Sequence, residues 1–421
     1  MKHQKSQEIF VLSTKIDDIS LAQALEHAAS SMTKAKQCYI VTPNPEICLY
    51  AEKDEQCRQI LNNSFLSLPD GFGLKIGARL LGQKLKNRVT GVDFTLELMK
   101  LAIKENWRVF LFGGEERVAL ECKRVLEEKY RELKIAGTMS GIMQNEMSNV
   151  KIINAINESK ADILLVALGA PFQERWIAEN LAHLSTVKLA IGIGGTFDFI
   201  AGRVKRAPRL IRQLGLEWLW RLLVQPWRIK RIYNAVLKFV VVVLKWRLRM
   251  RFCYRKNAVG FIVKGGCSLA VEHLLPKEKA AGSNPVTRSN IQILLVERED
   301  EACHWQLPQG GIEVCETPKQ AIKREMLEEL GTDKLKIIRH ISQFHKYKWP
   351  KLDRIRHGFR GQIQDLFILQ FIAKDADIKL DKREHNNFKW IGINQAPEAV
   401  HECRKEQMEK AIKIYQEIYD K

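Results

Sequence analysis

"DILLVALGAP", residues 162–171, decides how the first half of this chain folds. Its apolar run is short and unbroken, and Gly169 and Pro171 close it. Such a run between turn residues reads as a strand. Three others have the same form: "CYIVTPN" (38–44), "RVFLFGG" (108–114) and "VKLAIGIGGTFDF" (187–199). Each ends in Gly, Pro or Asn and gives way to helical patterns such as "ERVALECKRVLEEKYREL" (116–133). Strand and helix in alternation predict an α/β domain over residues 1–202, a Rossmann-like, open and mostly parallel sheet. In such sheets ligands bind outside the carboxyl ends of the strands.

One carboxylate stands on such an edge. "LPDGFG" (68–73) follows "SFLS", so Asp70 sits where a strand would end. Pro-Asp-Gly is strong turn chemistry in its own right, and both readings stand at this point.

The bulk numbers set the frame. The chain has 421 residues, enough for two or three cored domains, and 46% of them are hydrophobic. The net charge is +19, and residues 203–256 hold sixteen Lys or Arg against one acid, Glu217. A block this basic implies an anionic partner: phosphates, nucleic acid or an acidic membrane. The nine cysteines show no CxxC spacing, which predicts a reducing compartment and argues against a disulfide framework or a zinc site. The N-terminus, "MKHQKSQEIF", lacks the apolar core of a signal peptide. No run approaches the roughly 18 apolar residues of a membrane span.

Residues 203–256 differ in kind from the sheet domain. "APRLIRQLGLEWLWRLLVQPWRIKRIYNAVLKFVVVVLKWRLRMRF" (207–252) reads as a helix, a break at Pro226 and a second helix. Basic residues interleave with apolar ones, among them Trp218, Trp220, Trp227 and Trp246. A basic helix with such a face lies in a membrane interface, where each Lys or Arg gains about 1 kcal/mol on anionic lipid. The competing reading is a basic helix packed on the protein's own core.

Residues 257–421 form a third block. Here "AVGFIVKGG", "IQILLVERE" and "DLFILQFIA" read as strands, 277–290 as an exposed loop, and "CRKEQMEKAIKIYQEIY" (403–419) as a helix. Its chemistry lies in "GGIEVCETPKQAIKREMLEELGT" (310–332). On a helix, Glu325, Glu328 and Glu329 are spaced i, i+3, i+4 and share one face. Three crowded carboxylates repel unless a hard divalent cation, Mg²⁺ or Mn²⁺, neutralises them. The implied work is metal-assisted attack of water on a diphosphate.

Gly310, Glu316, Arg324, Glu325, Glu328, Glu329 and Gly331 fall at the spacings of the Nudix box, and this block resembles Nudix hydrolases. The last apolar position departs, with Thr332 there. The resemblance implies an α+β fold, an α/β/α sandwich, with Glu325, Glu328 and Glu329 on the metal, Glu328 also catalytic and Arg324 orienting a carboxylate. "WQLPQGGIE" (305–313), "FRGQIQDLFILQF" (359–371) and "FKWI" (388–391) look like the RNA pyrophosphohydrolase and dinucleoside polyphosphate hydrolase branch. That branch usually has a Glu just before the Phe of the last segment. Asn387 stands there in this chain, with Glu384 three residues earlier.

In the first domain, "TPNPE" (42–46), "LPDGFG" (68–73), "RVTGVD" (88–93), "LFGG" (111–114), "ALGAPFQERW" (167–176), "GIGGTFDFIAGRVKRAP" (192–208) and "GLEWLWRLLVQPWRIKR" (215–231) run in one order. In that order they resemble the WecG/TagA/CpsF glycosyltransferases, family 26. The resemblance implies transfer of N-acetylmannosamine, or its uronic acid, from UDP to polyprenyl-diphosphate-linked N-acetylglucosamine, in cell-surface polysaccharide or teichoic acid synthesis. No Asp-x-Asp falls on a strand end of this domain, so no metal cofactor is expected; "DAD" (375–377) looks like a surface turn. Charge on the leaving diphosphate then falls to arginines and to backbone N–H groups at 113–114 and 194–195. Arg221, Arg228 and Arg231 recur at spacings of seven and three, and the resemblance sets them over the diphosphate; lipid head groups are their other reading.

Asp70 is the expected general base of an inverting displacement. Thr42, Asn44 and Arg88 are expected to line the acceptor or sugar pocket, and Gln173, Gly113, Gly114 and Gly195 to meet the sugar or nucleotide. Asp198 faces the nucleotide or caps a helix.

These readings combine into a bifunctional enzyme, peripheral on the cytoplasmic face of an anionic membrane. Residues 203–256 complete the transferase site, and residues 257–421 hydrolyse a nucleotide or an RNA 5′ end. A homo-oligomer is left open. The alternative is a membrane- or RNA-docked Nudix pyrophosphohydrolase carrying an inactive transferase-like module.

Overall fold

The computed structural model describes residues 7–33, 36–115, 117–141, 146–265, 291–299 and 301–419, with all side chains in them but those of Gln7, residues 146–148, Gln213, Arg228, Arg231 and Tyr419. The loop expected at 277–290 lies outside these residues. The chain forms two compact units, Met1–Arg251 with Lys351–Gly358, and Phe252–Pro350 with Phe359–Lys421.

The first unit opens with a hairpin, β1 (Gln7–Val11) and β2 (Thr14–Asp18). The strands β3 (Cys38–Val41), β4 (Leu66–Ser67), β5 (Arg108–Gly113), β6 (Lys134–Met139), β7 (Ile163–Ala167) and β8 (Leu189–Gly192) then build one sheet in the order β4-β3-β8-β7-β5-β6. Every neighbouring pair is parallel, as the alternation predicts. Alternate residues of each strand face opposite layers. Val109, Leu111, Ile163 and Leu165 join a core with the helices Leu21–Met32, Gly91–Lys104 and Val118–Lys129. Phe110, Phe112, Leu164 and Val166 join another with Glu146–Ser159 and Phe172–Asn180.

The basic segment is helical throughout most of its length. Helices cover Arg209–Gln213 and Glu217–Val224, and turns of changing pitch lead from Pro226 into the helix Phe239–Phe252. The break falls at Pro226, as the sequence predicts. The last helix does not lie free. Phe239, Val243 and Trp246 form an i, i+4, i+7 stripe buried against the β1–β2 hairpin, with Leu74 and Ile355. Trp246 is only 6% exposed and donates its indole N–H to the Ile355 carbonyl at 2.8 Å. The expectation that it anchors a membrane face is thereby corrected: this stripe packs on the protein's own core. The opposite side keeps Val241, Leu244 and Leu248 exposed, and Trp227, further back, is 73% exposed.

The second unit has a mixed sheet with β9 (Tyr254–Lys264) at its centre, so Tyr254–Lys256, read as the end of the basic segment, are strand. β10 (Gln292–Arg298), β11 (Trp305–Gln306), β12 (Gln309–Gly311), β13 (Leu335–Lys348), β14 (Gly361–Phe371) and β15 (His385–Gly392) complete it. β9 pairs parallel with β14 and antiparallel with β10 and β12; β15 pairs with β10. Val259, Phe261, Val263 and Leu295 pack under the helix Lys405–Tyr419. Ala258, Ile262, Leu294 and Val296 pack under the helix Pro318–Leu330. Sheet between helices is the expected sandwich.

Candidate active sites

In the first unit the carboxyl ends of β3, β4, β5, β7 and β8 open into a cavity of about 510 Å³, among whose walls are Thr42, Gly114, Gln173, Gly195 and Asp198. A second cavity of about 230 Å³ is walled by Phe72, Trp218, Ile232, Val236 and Phe239, most of them from the basic helical segment. Asn44, Asp70 and Arg221 line both cavities. A polar chamber and an apolar one thus meet at one carboxylate and one guanidinium.

The turn that carries Asp70 is fixed locally. Its N–H donates to the Pro43 carbonyl at 2.9 Å, and Gly71 precedes the helix Phe72–Leu80. Burial pushes the Asp70 carboxyl up to about 6, against the pull of Arg221, the Gly91 N–H and Arg88; Glu217 pushes the same way as burial. A base with that value is ionised at neutral pH and still a fair proton acceptor. Glu217 lies between two arginines, 3.6 Å from Arg88 and 3.9 Å from Arg221. Arg221 also stacks over Phe199, 4.8 Å from the ring centre. Arg88 lines the apolar cavity and donates to the Arg212 carbonyl at 3.3 Å. The side chains of Arg228 and Arg231 lie outside the described residues.

Several expected ligand residues also hold the site together. Asn44 caps the helix Pro45–Ala51, its Oδ1 accepting the N–H groups of Glu46 and Ile47. The Thr42 hydroxyl donates to the Gly192 carbonyl at 2.9 Å, tying β3 to β8. Gln173 is buried, and its Oε1 accepts the Gly194 N–H at 2.9 Å.

The structure corrects three expectations. The Gly114 N–H is spent on the Ala167 carbonyl at 2.8 Å and the Gly194 N–H on Gln173, so neither is free for a diphosphate. Gly113 is not in the cavity wall; with φ 113° its Cα lies against the Ala167 backbone, where a Cβ would come within 2.6 Å. Asp198 is no helix cap: the cap position of Thr196–Ile200 is Gly195, and Asp198 sits in the first turn facing the cavity.

Two acids escaped sequence reasoning. Glu217 stands out in the sequence as the single acid in the basic block, but no role at the site is read from it. Glu174 is 2% exposed, accepts from Gln173 Nε2 at 2.8 Å and lines the polar cavity; burial pushes its carboxyl up to about 7.

In the second unit the helix Pro318–Leu330 begins at a Thr317 capping box and presents its acids toward β12. Arg324 organises them. Its Nε and Nη2 each hold an oxygen of Glu316 at 3.0 Å, Nη1 reaches Glu325 at 2.8 Å and Glu328 at 2.9 Å, and Nη2 donates to the Gly311 carbonyl. Glu325 lies so close to Gly310 that a Cβ there would meet its carboxyl at 1.7 Å. Glu329 is 3% exposed and accepts the Gln309 N–H at 3.2 Å. Burial pushes it up to about 7, with Glu325 and Glu384 adding to the shift and His385 opposing it. Glu384 and His385 group with Glu329 within ligand distance of one ion. Asn387 is exposed and its Oδ1 accepts the next N–H, that of Phe388. The Asp375–Asp377 turn is at the surface, paired with Lys264 and Lys334.

These carboxylates fit a hard cation. Glu329 and Glu384 bring carboxylate oxygens together beside His385, and burial, with repulsion from Glu325 and Glu384 added, raises Glu329, a state that a bound divalent ion relieves.

The family model of the glycosyl transferase WecG/TagA/CpsF family matches residues 9–252, and a NUDIX domain model matches residues 277–411. The N-acetylglucosaminyldiphosphoundecaprenol N-acetyl-beta-D-mannosaminyltransferase of Bacillus subtilis (strain 168) is 38% identical over 217 residues, 52% of this chain and 83% of that protein. The enzyme of the same name from Bacillus spizizenii is 33% identical over 229 residues, 54% of this chain and 87% of its own. Among solved structures, a C. elegans Ap4A hydrolase overlays 37% of this chain and 93% of its own, at 22% identity and a TM-score of 0.26.

Proposed function

The chain belongs to the glycosyl transferase WecG/TagA/CpsF family, with a NUDIX domain after it, and on that premise we propose that its first unit transfers N-acetylmannosamine from UDP to a polyprenyl-diphosphate-linked N-acetylglucosamine. The observation that carries this reading is Asp70 at the junction of a polar and an apolar cavity. The polar cavity takes the UDP-sugar, and the apolar one the acceptor with the first part of its lipid.

Asp70 accepts the proton of the acceptor hydroxyl as that oxygen attacks C1 of the donor sugar. The new C1–O bond forms on the face opposite the breaking bond to UDP, so the anomeric centre inverts. The electron pair leaves with the β-phosphate oxygen. In this reading Arg221, which lines both cavities, meets that charge, joined by Arg228 and Arg231 from the same segment. Gln173 fixes the Gly194 turn against the sugar, Glu174 stiffens Gln173, and Asp198 faces the nucleotide.

The exposed apolar residues of the basic segment, Trp227 and Leu223 among them, stand among exposed Lys230, Lys238 and Lys245. Among the described residues no helix is long and apolar enough to cross a membrane. This surface supports peripheral binding to an anionic membrane, where the acceptor lies. The free thiols among the described cysteines suit its cytoplasmic face.

The second unit hydrolyses a nucleoside diphosphate linkage. Glu325, Glu328 and Glu329, with Glu384, would hold Mg²⁺, which when bound polarises the diphosphate and acidifies a water. Arg324 keeps Glu316, Glu325 and Glu328 in place, and in this reading Glu328, the most exposed of the three helix acids, takes the proton of the attacking water.

A donor screen tests the transferase reading. Purified protein, a polyprenyl-diphosphate N-acetylglucosamine acceptor and a panel of UDP-sugars are followed by mass spectrometry. Addition of one N-acetylhexosamine from UDP-N-acetylmannosamine alone supports it; no transfer from any donor contradicts it.

A further inference from the structure

We propose that the second unit carries another metal centre, a site for a zinc-class divalent cation built from His304, His401 and Cys403. One ligand atom of each lies within 4.8 Å of the other two. The three share no residue with the carboxylate set on the helix Pro318–Leu330, and they come from distant parts of the unit. His304 precedes β11, while His401 caps, and Cys403 lies within, the short turn Glu402–Arg404 before the last helix. The backbone already joins these segments: the His401 N–H donates to the Trp305 carbonyl at 2.9 Å.

The donor chemistry is specific. His304 is 5% exposed and its Nδ1 lies 2.7 Å from Glu301 Oε2. With Nδ1–H donating to that carboxylate, Nε2 keeps its lone pair, and it has no partner among the described residues. A carboxylate behind one imidazole nitrogen, with the other nitrogen open, is how proteins set a histidine for a metal. A buried nitrogen left unmatched is otherwise a cost to the fold. Cys403 Sγ lies 3.1 Å from His401 Nδ1, so a thiol and an imidazole are already side by side. The two imidazoles stack with centres 4.2 Å apart.

Two nitrogens and a sulfur select zinc or cobalt over magnesium. Metal–ligand bonds of about 2.0–2.3 Å in a tetrahedron put ligand atoms roughly 3.3–3.8 Å apart. The cluster therefore tightens by a small amount, and the stacked rings splay. Glu301 stays behind His304 as the orienting carboxylate, and the fourth position is left to water. Cys403 and Glu301 are exposed, so an ion can enter. The absence of CxxC spacing hid this group, because only the fold brings its members together.

The test uses the full chain, freed of metal by a chelator and held in excess Mg²⁺ so that the carboxylate set is occupied. Co²⁺ is the probe. One equivalent is expected to give visible bands of tetrahedral cobalt and a near-ultraviolet thiolate-to-cobalt band, both displaced by one equivalent of Zn²⁺. Cys403→Ser, at an exposed position, removes the thiolate band, and His304→Ala and His401→Ala each weaken Co²⁺ binding by about tenfold or more. Glu328→Gln leaves all of these signals intact. No thiolate band at saturating Co²⁺, or a band that survives Cys403→Ser, overturns the proposal.

Discussion

The Glu217 carboxylate stands 3.9 Å from the Arg221 guanidinium, beside the point where the two cavities of the first unit meet. The same acid reaches Arg88 at 3.6 Å and adds to the upward shift of Asp70. It therefore acts on the base in two ways, through its own charge and through the arginines that it holds.

Glu217→Gln separates those effects. Loss of the negative charge lowers the Asp70 carboxyl below about 6, so the acid limb of the transfer rate moves to lower pH. Loss of the ion pairs loosens Arg221 and raises KM for the UDP-sugar. A pH–rate profile of the variant beside the parent protein, from pH 5 to 8, reads both.

In the parent protein kcat/KM should fall about tenfold per pH unit below about 6, where Asp70 takes up its proton. The stability sign runs the other way. The folded-state value lies above the ordinary carboxylate value of 3.8, so ionising Asp70 costs the native state increasingly between pH 3.8 and about 6, and fully above that. Asp70→Asn should then raise the melting temperature at pH 8, by ~1–3 kcal/mol of stability. The gain should vanish near pH 4. Calorimetry at the two pH values checks it.

Gly310→Ala should damage the hydrolase more than the fold. A Cβ there meets the Glu325 carboxyl at 1.7 Å, and the side chain must swing away. Mg²⁺-dependent diphosphate cleavage is expected to drop at least ~10-fold while sugar transfer is unchanged. Arg324→Lys should act alike, since an ammonium cannot span Glu316, Glu325 and Glu328 at once.

The tryptophans divide by burial. Trp246→Ala empties a core position and should destabilise the protein by ~3–5 kcal/mol. Trp227→Ala should leave stability alone and weaken flotation with anionic vesicles, more so as salt rises. Equal flotation of Trp227→Ala and parent protein would contradict the membrane reading.

The central strands were legible because each is buried on both faces, as "ILLVA" of β7 is. The edge strands β6 and β13 were not. β6 is only partly covered, and β13 alternates charged and apolar residues along a largely exposed face broken by two register shifts. The helix Pro318–Leu330 falls inside the helical stretch "TPKQAIKREMLEELG" (317–331), because a Thr317 cap and a Gly331 stop are local signals. What could not be read is where a donor is already spent. That Gly114 gives its N–H to Ala167 follows from the pairing of β5 with β7, and that Gly194 gives its N–H to the Gln173 side chain follows from how the helix Phe172–Asn180 packs, neither from neighbouring sequence. The dual face of the helix Phe239–Phe252 was hidden for a similar cause: its apolar residues surround the helix, and only the tertiary packing against the β1–β2 hairpin, Leu74 and Ile355 selects which are buried.

The most direct measurement is the rate of N-acetylmannosamine transfer by Asp70→Asn at pH 8, with Mg²⁺-dependent diphosphate hydrolysis followed on the same preparation. The account predicts a fall in kcat of ~10²–10⁴-fold, with KM for the UDP-sugar and the hydrolase rate both close to those of the parent protein. A variant that transfers sugar at the parental rate would contradict it.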